Sequence, residues 1–349
     1  MRDRGCRGDR GWRLGLIVLA SASLNLAMGL LPATGQVPTP SASGIPSANG
    51  YDDLLAAAYQ LRKTLDPTRD LTKAPDEEVR EALEANREAL AKAREALGRD
   101  CFVPLQYEPA QIQLALDRAS ALRGLARLMM AEWRLAESEG RRPDAVRFST
   151  DLIRLGQATG RGGLLVESLT GLAIETLGLD ALARIMPGMT EAELAESLRS
   201  LVNLERTAEP FPAIAERERE FAHEAHGVQM RLALAVSPQM KKMLQDSLDA
   251  AQEGFLRVQT KRRLLTVELA IRLYRIREGA DPAALTALTP SILRDSPLDP
   301  YTGDPLVYRP SPTGHLLYSV GPDGDDDGGR PFAPRDQQPD GDVTIHPGR

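Results

Sequence analysis

Apolar residues recur every three or four positions through most of the chain, the spacing of a helix with one buried face. From Tyr51, residues Leu54, Leu55, Ala58, Leu61 and Leu65 fall on one side, and Pro67 ends the run. Pro75-Asp-Glu-Glu78 opens a second helix with acids at its positive end. Its stripe is Val79, Leu83, Leu90 and Leu97, with a stop at Gly98. Pro109 opens a third, which carries Ile112, Leu116, Ala119, Leu122, Ala126, Met129, Trp133 and Ala136 to a close at Gly140. Asp144 begins a partner through Leu152 and Leu155, and Gly160-Arg-Gly-Gly163 breaks the chain. The next stripe is Leu165, Leu169, Leu172, Leu179, Leu182 and Ile185, ended by Pro187-Gly188. Thr190 and Glu193 then form a capping box ahead of Leu194, Leu198 and Leu201. A long charged helix is predicted over 213–236, and another from Ser237-Pro238 to Arg277 with Gly279 as its stop.

Short loops between helices of this length imply antiparallel neighbours. The expected fold is therefore mainly α, built of stacked antiparallel helical hairpins. It is tetratricopeptide-like but irregular, because no period of about 34 residues settles in. A short helix is expected from Asp281-Pro282 to Leu288. After Pro290 the pattern changes, and Pro, Gly and Asp become dense. Leu306-Val-Tyr308 and the run from His315 to Val320 read as an antiparallel β-hairpin on a small α+β module. The expected organisation is a leader over 1–35, a flexible linker over 36–50, a helical-hairpin domain over 51–260 and the module over 261–349.

The first segment has its own logic. Arg-rich residues precede a charge-free run from Leu14 to Leu31, and the small residues Ala33 and Gly35 follow. That is the layout of a signal peptide; a run of 18 residues is also just long enough for an uncleaved membrane anchor. Either way the Arg cluster stays inside and the remainder faces outward. Residues 36–50 are rich in Pro, Ser, Ala and Gly, the composition of a spacer.

Charge narrows the function classes. The formal net charge is -6, and the first 35 residues hold five Arg and two Asp, so the remainder is still more acidic. A nucleic-acid partner calls for a basic footprint and is disfavoured. The two cysteines, Cys6 and Cys101, are separated by the leader, so no disulfide framework or thiolate zinc site forms within one chain.

The candidate chemistry lies near the end. Asp323, Asp325, Asp326 and Asp327 crowd between glycines, and Asp336, Asp340 and Asp342 follow. So many carboxylates repel unless a cation sits among them. Calcium, which takes about six to eight oxygens in irregular loops, suits them. No EF-hand pattern is present. Elsewhere, Glu220-Phe-Ala-His223 has the Glu-x-x-His spacing of a di-iron bundle, without the second motif such a site needs. His223 and His226 miss the zinc-protease spacing. Gly160-Arg-Gly-Gly163 precedes a helix, where free N–H groups can hold an anion, but it lacks a P-loop's Lys-Ser/Thr and reads as a helix–helix turn.

Tyr274, then Asp299-Pro-Tyr-Thr-Gly303, Pro305-Leu306, Tyr308, Tyr318-Ser-Val-Gly321, Asp323-Gly324 and Gly328-Gly329 follow one another in a specific order. In that order the last 80 or so residues resemble the C-terminal module of the type II secretion major pseudopilin. The resemblance implies a helix leading to an Asp-Pro-aromatic-Gly turn, a strand pair and a calcium-binding loop. It places Asp323 at the loop acid and Asp342 at a late acid before a terminal Ile, with Ser319 as a further oxygen. Together with the acidic run, the expected ligands are Asp323, Asp325, Asp327, Asp340, Asp342 and Ser319. The chain departs from that family in lacking its leader motif and in carrying about 200 helical residues ahead of the module. As a whole it resembles an exported helical protein of planctomycete type. The favoured expectation is an exported, non-catalytic scaffold with a protein partner and no nucleic acid, meeting a membrane only through an uncleaved leader. A hydrolase with carboxylates in a helical groove and a component of a secretion or pilus-like assembly are the alternatives.

Overall fold

Nine α-helices and one two-stranded antiparallel hairpin make up the described chain. The computed structural model describes residues 49–61, 70–311, 314–331 and 341–345, with backbone alone for 226–236 and 240. The helices are α1 (Tyr51–Leu61), α2 (Asp76–Ala85), α3 (Arg87–Leu97), α4 (Gln111–Ser138), α5 (Arg142–Gly160), α6 (Leu165–Ile185), α7 (Glu191–Thr207), α8 (Phe211–Val236) and α9 (Pro238–Glu278). The strands are β1 (Val307–Ser311) and β2 (Gly314–Tyr318), in register from Val307 opposite Tyr318 to Ser311 opposite Gly314.

Most helix boundaries follow the punctuation in the sequence. Gly140 and Gly279 take φ of 71° and 78°, the left-handed stops that glycine adopts without strain. The Thr190 hydroxyl accepts from Glu193 N at 3.3 Å, and Glu193 accepts from Thr190 N at 2.8 Å, completing the capping box. Two expectations differ. The single helix foreseen from Pro75 to Leu97 is two, because Asn86 sits at φ -116°, ψ 14° and turns its amide back onto the Ala82 carbonyl at 2.8 Å. A short polar side chain that bonds nearby backbone competes with helix continuation. The helix foreseen after Asp281 is a 3₁₀ turn, Leu285–Leu288.

α5 and α6 pack antiparallel at unusually close range, and glycines set that range. A Cβ on Gly178 would lie 2.7 Å from Ile153 N and 2.8 Å from Ser149 O. A Cβ on Gly160 would lie 2.8 Å from Ser168 Cα. Side chains longer than hydrogen would push the two backbones apart.

The second half of α9 lies against α6, α7 and the C-terminal module. Leu264, Leu265, Val267, Leu269, Ala270 and Ile271 are wholly buried. They share one apolar cluster with Leu194, Leu198 and Leu201 of α7 and with Leu306, Leu317, Val343 and Ile345 of the module. Each buried Leu, Ile or Val among them contributes about 1.5–3 kcal/mol by leaving water. At the other end, Asn49 pins the chain entry: its side-chain oxygen accepts from Tyr51 N and Phe102 N, at 3.1 and 2.9 Å. Cys101 is a buried free thiol whose pKa burial pushes up to about 11.

His315 on β2 fastens the hairpin to α9. Its Nε2 lies 2.7 Å from Glu268 Oε2 and its Nδ1 lies 3.1 Å from Asp281 Oδ2, with the ring tilted against Tyr308. Acceptors on both ring nitrogens favour the imidazolium. The Glu268 bond, ahead of the Asp281 bond, holds the His315 pKa above its ordinary value. Burial would raise Glu268, but the His315 bond and Arg272 outweigh it and leave its pKa lowered. Asp281 is lowered by Arg275 first and by His315 after it.

The membrane anchor among the sequence expectations is set aside. No helix among the described residues is long and apolar enough to cross a membrane. The leader from which that expectation arose, together with Leu65, Pro67, Asp336 and Asp340, lies outside the described residues.

Two outcomes follow. Gly178→Ala should destabilise the protein by about 1–3 kcal/mol in urea unfolding through overpacking. Gly124→Ala, in α4 with open space at its Cβ, should stabilise by up to about 1 kcal/mol. Equal effects at the two sites would contradict the close crossing. For the His315 latch, a raised histidine pKa contributes stability fully below its ordinary 6.5 and loses it as pH rises through the folded value. The lowered carboxylates contribute above their ordinary range and lose that contribution on acidification. Thermal stability should therefore peak between the two limits, and His315→Gln should flatten the alkaline slope; an unchanged slope in the variant would count against the latch.

Candidate metal centre

The loop that follows β2 is anchored from below by Asp299. This carboxylate is buried, and three donors satisfy it. Oδ1 accepts from Tyr301 N and from the Ser319 hydroxyl, both at 2.9 Å, and Oδ2 accepts from Val320 N at 3.1 Å. Gly303 N closes the turn onto the Asp299 carbonyl at 2.8 Å. The Tyr301 hydroxyl donates to Glu253 of α9 at 3.0 Å. The Asp299-Pro-Tyr-Thr-Gly303 turn is thus fastened to both the end of β2 and α9. A bridge between Ser319 and Val343 brings the terminal segment alongside. There, Gly321 takes φ of 75° and lies so close to Gly341 that a Cβ would sit 2.7 Å from its carbonyl oxygen.

On this base the aspartates divide into two groups. Asp326 turns toward the hairpin, where it accepts from the Tyr318 hydroxyl at 2.6 Å, Arg309 Nη2 at 2.5 Å and Gly328 N at 2.9 Å. Asp323, Asp325 and Asp327 gather instead, each offering a carboxylate oxygen within 4.8 Å of the others. Asp323 Oδ2 accepts from Gly341 N at 3.0 Å, fixing the first acid to the terminal segment. Asp327 Oδ1 accepts from Arg330 Nη2 at 2.5 Å, while its Oδ2 is buried without a hydrogen-bond partner among the described residues. Asp342 is buried beside them. Its Oδ2 accepts from Gly329 N at 2.6 Å, and its Oδ1 is likewise without a partner.

The electrostatics match crowded like charges. Asp325 is raised by its bond with Asp323 first and by that residue's charge next, although it is exposed. Asp342 is raised by burial, against the backbone N–H of Gly329. An unmet carboxylate oxygen in a low-dielectric place costs free energy that a cation or a proton removes. The donor set is all oxygen, which suits a hard cation such as calcium and gives a thiolate- or imidazole-seeking metal no ligand.

Of the six residues singled out in the sequence, the structure brings together Asp323, Asp325 and Asp327, with Asp342 held against the same loop. Ser319 is turned to Asp299 and to Gly321 N, away from that grouping. Asp340 lies outside the described residues. Nothing local to the acidic run indicated that Asp299 would hold Ser319, 20 residues away.

The other candidate motifs have ordinary partners. Glu220 accepts from the Tyr107 hydroxyl at 3.1 Å, and His223 is exposed beside Glu224. The N–H groups after Gly160 are taken by carboxylates: Gly162 N donates to Glu209, Leu164 N to Glu167 and Leu165 N to Glu218, at 3.0, 2.9 and 2.9 Å. The anion-holding end of α6 is therefore filled by the protein's own acids. No family model, curated protein or solved structure matches the chain.

Proposed function

We propose that this chain is an exported, non-catalytic scaffold whose C-terminal loop is organised by a calcium ion. Asp323, Asp325 and Asp327 would hold the ion, with Asp342 supporting the loop from beneath. The observation that carries the reading is the convergence of those three carboxylates within 4.8 Å, beside two buried carboxylate oxygens that lack partners. Calcium would supply charge neutralisation and a fixed loop shape and no chemical step. The sequence of Asp-Pro-aromatic-Gly turn, antiparallel strand pair and acid loop supports a pseudopilin-like module, and the packed antiparallel helices ahead of it support a tetratricopeptide-like interaction surface for a protein partner. Export rests on the Arg-rich, apolar and small-residue order of residues 1–35.

Calcium at a concentration about 100 times its dissociation constant should add about 2.7 kcal/mol of stability, seen as a rise in the thermal midpoint that EDTA reverses. Asp323→Asn combined with Asp327→Asn should abolish most of that rise; a wild type indifferent to millimolar calcium would reject the ion. A reporter enzyme fused after Gly50 should be recovered outside the cytoplasm, and its retention inside would reject export.

A further inference from the structure

Away from the acidic loop, a crevice of about 60 Å³ opens where α5, α6 and α9 meet the α7–α8 connection. Gly156, Gly160 and Gly171 form its floor. These glycines let the α5 and α6 backbones touch, since a Cβ on any of them would run into the opposing helix. Leu172, Ile214 and Phe255 give it an apolar wall. Its polar wall holds Arg262 and Glu175, both almost fully buried, with Arg262 Nε donating to Glu175 Oε1 at 2.7 Å.

That one bond leaves most of the guanidinium unspent. A guanidinium carries five N–H donors in a planar fork. Among the described residues, Arg262 Nη1 and Nη2 have no hydrogen-bond partner, and they are not sealed from solvent, although the side chain as a whole is only 6 % exposed. The other charged groups lining the crevice are engaged. Glu209 takes Gly162 N and Arg217, and Arg161 lies over Phe102 and reaches Asp100. Gln157 donates to the Leu204 carbonyl and Ser168 to the Gly160 carbonyl.

We propose that the crevice binds a small monocarboxylate, its two oxygens on the paired Nη groups of Arg262 and its short hydrocarbon part against Leu172, Ile214 and Phe255. A planar two-oxygen acceptor matches the free edge of a guanidinium. Glu175 and Glu209 on the same lining disfavour a more highly charged anion such as phosphate. The volume, several times that of the smallest space that holds one water, admits a few carbon atoms. The proposal stands apart from the calcium reading, since no residue of the acidic loop lines the crevice.

The test is isothermal titration of the full chain, in EDTA, with acetate, propionate, isobutyrate and inorganic phosphate, run in parallel with NMR line broadening of the same acids. The wild type should bind at least one carboxylate saturably at millimolar concentration and phosphate at least tenfold more weakly. Arg262→Gln should weaken carboxylate binding tenfold or more. Because that change also disturbs the Glu175 pair, Ala208→Leu serves as the second variant: it narrows the crevice from the α7–α8 connection, leaves the pair intact, and should cause a loss of similar size. Folding of each variant is checked by circular dichroism. Absence of saturable carboxylate binding to the folded wild type, binding undiminished in Ala208→Leu, or a preference for phosphate would each overturn the assignment.

Discussion

Charges that α9 carries into the interior dictate much of how this chain is assembled. Between Lys261 and Tyr274 the helix is apolar enough to be enclosed on several sides, yet it brings Lys261, Arg262, Arg263, Glu268 and Arg272 with it, while Arg275 and Arg277 near its end stay exposed. A buried or half-buried charge without a partner costs several kcal/mol, so each position demands an opposite group on whatever packs there. Lys261 finds Asp180 and Arg262 finds Glu175, both on α6. Arg263 finds Glu205 on α7, and at the exposed end of the helix Arg277 meets Glu191 of α7 as a surface pair. Glu268 finds His315 on β2, and Arg275 finds Asp281 just beyond the helix. The apolar faces supply the driving force for burial, and these pairs select which surfaces can meet.

The module at the end of the chain inherits its position from this arrangement. His315 ties β2 to α9, Tyr301 ties the preceding turn to it through Glu253, and Asp299 ties that turn to the end of β2. The acidic loop starts where those ties end. Its outer shape is left to a clamp of Asp326 by Tyr318 and Arg309 and to the mutual repulsion of Asp323, Asp325 and Asp327. A loop held firmly at its base and crowded with like charge at its tip is a place where a bound cation changes local stability far more than overall architecture.

Much of the helical framework was legible because a period of three to four residues is a direct consequence of burying one face of a helix. The Thr190 and Glu193 box and the stops at Gly140 and Gly279 were equally plain, since each is a local chemical solution to unsatisfied helix ends. The break at Asn86 was not, because an amide can sit in a helix or leave it according to what surrounds it. The acidic run announced itself by composition. Pairings across long stretches of chain left no mark: His315 and Glu268 are 47 residues apart, and Arg262 and Glu175 are 87 apart. Ser319 looked like one more oxygen for the loop until Asp299 was seen to occupy it.

The central claim is that an ion at Asp323, Asp325 and Asp327 is felt through the base of the loop by the hairpin and α9, and by little else. Hydrogen–deuterium exchange of the full chain, with calcium and with EDTA, measures this directly. Calcium should slow exchange at 323–329 and 341–345, more modestly at 314–320, and leave α1 to α4 unchanged. Exchange that is the same with and without calcium across 314–345, or slowing confined to the N-terminal helices, would contradict it.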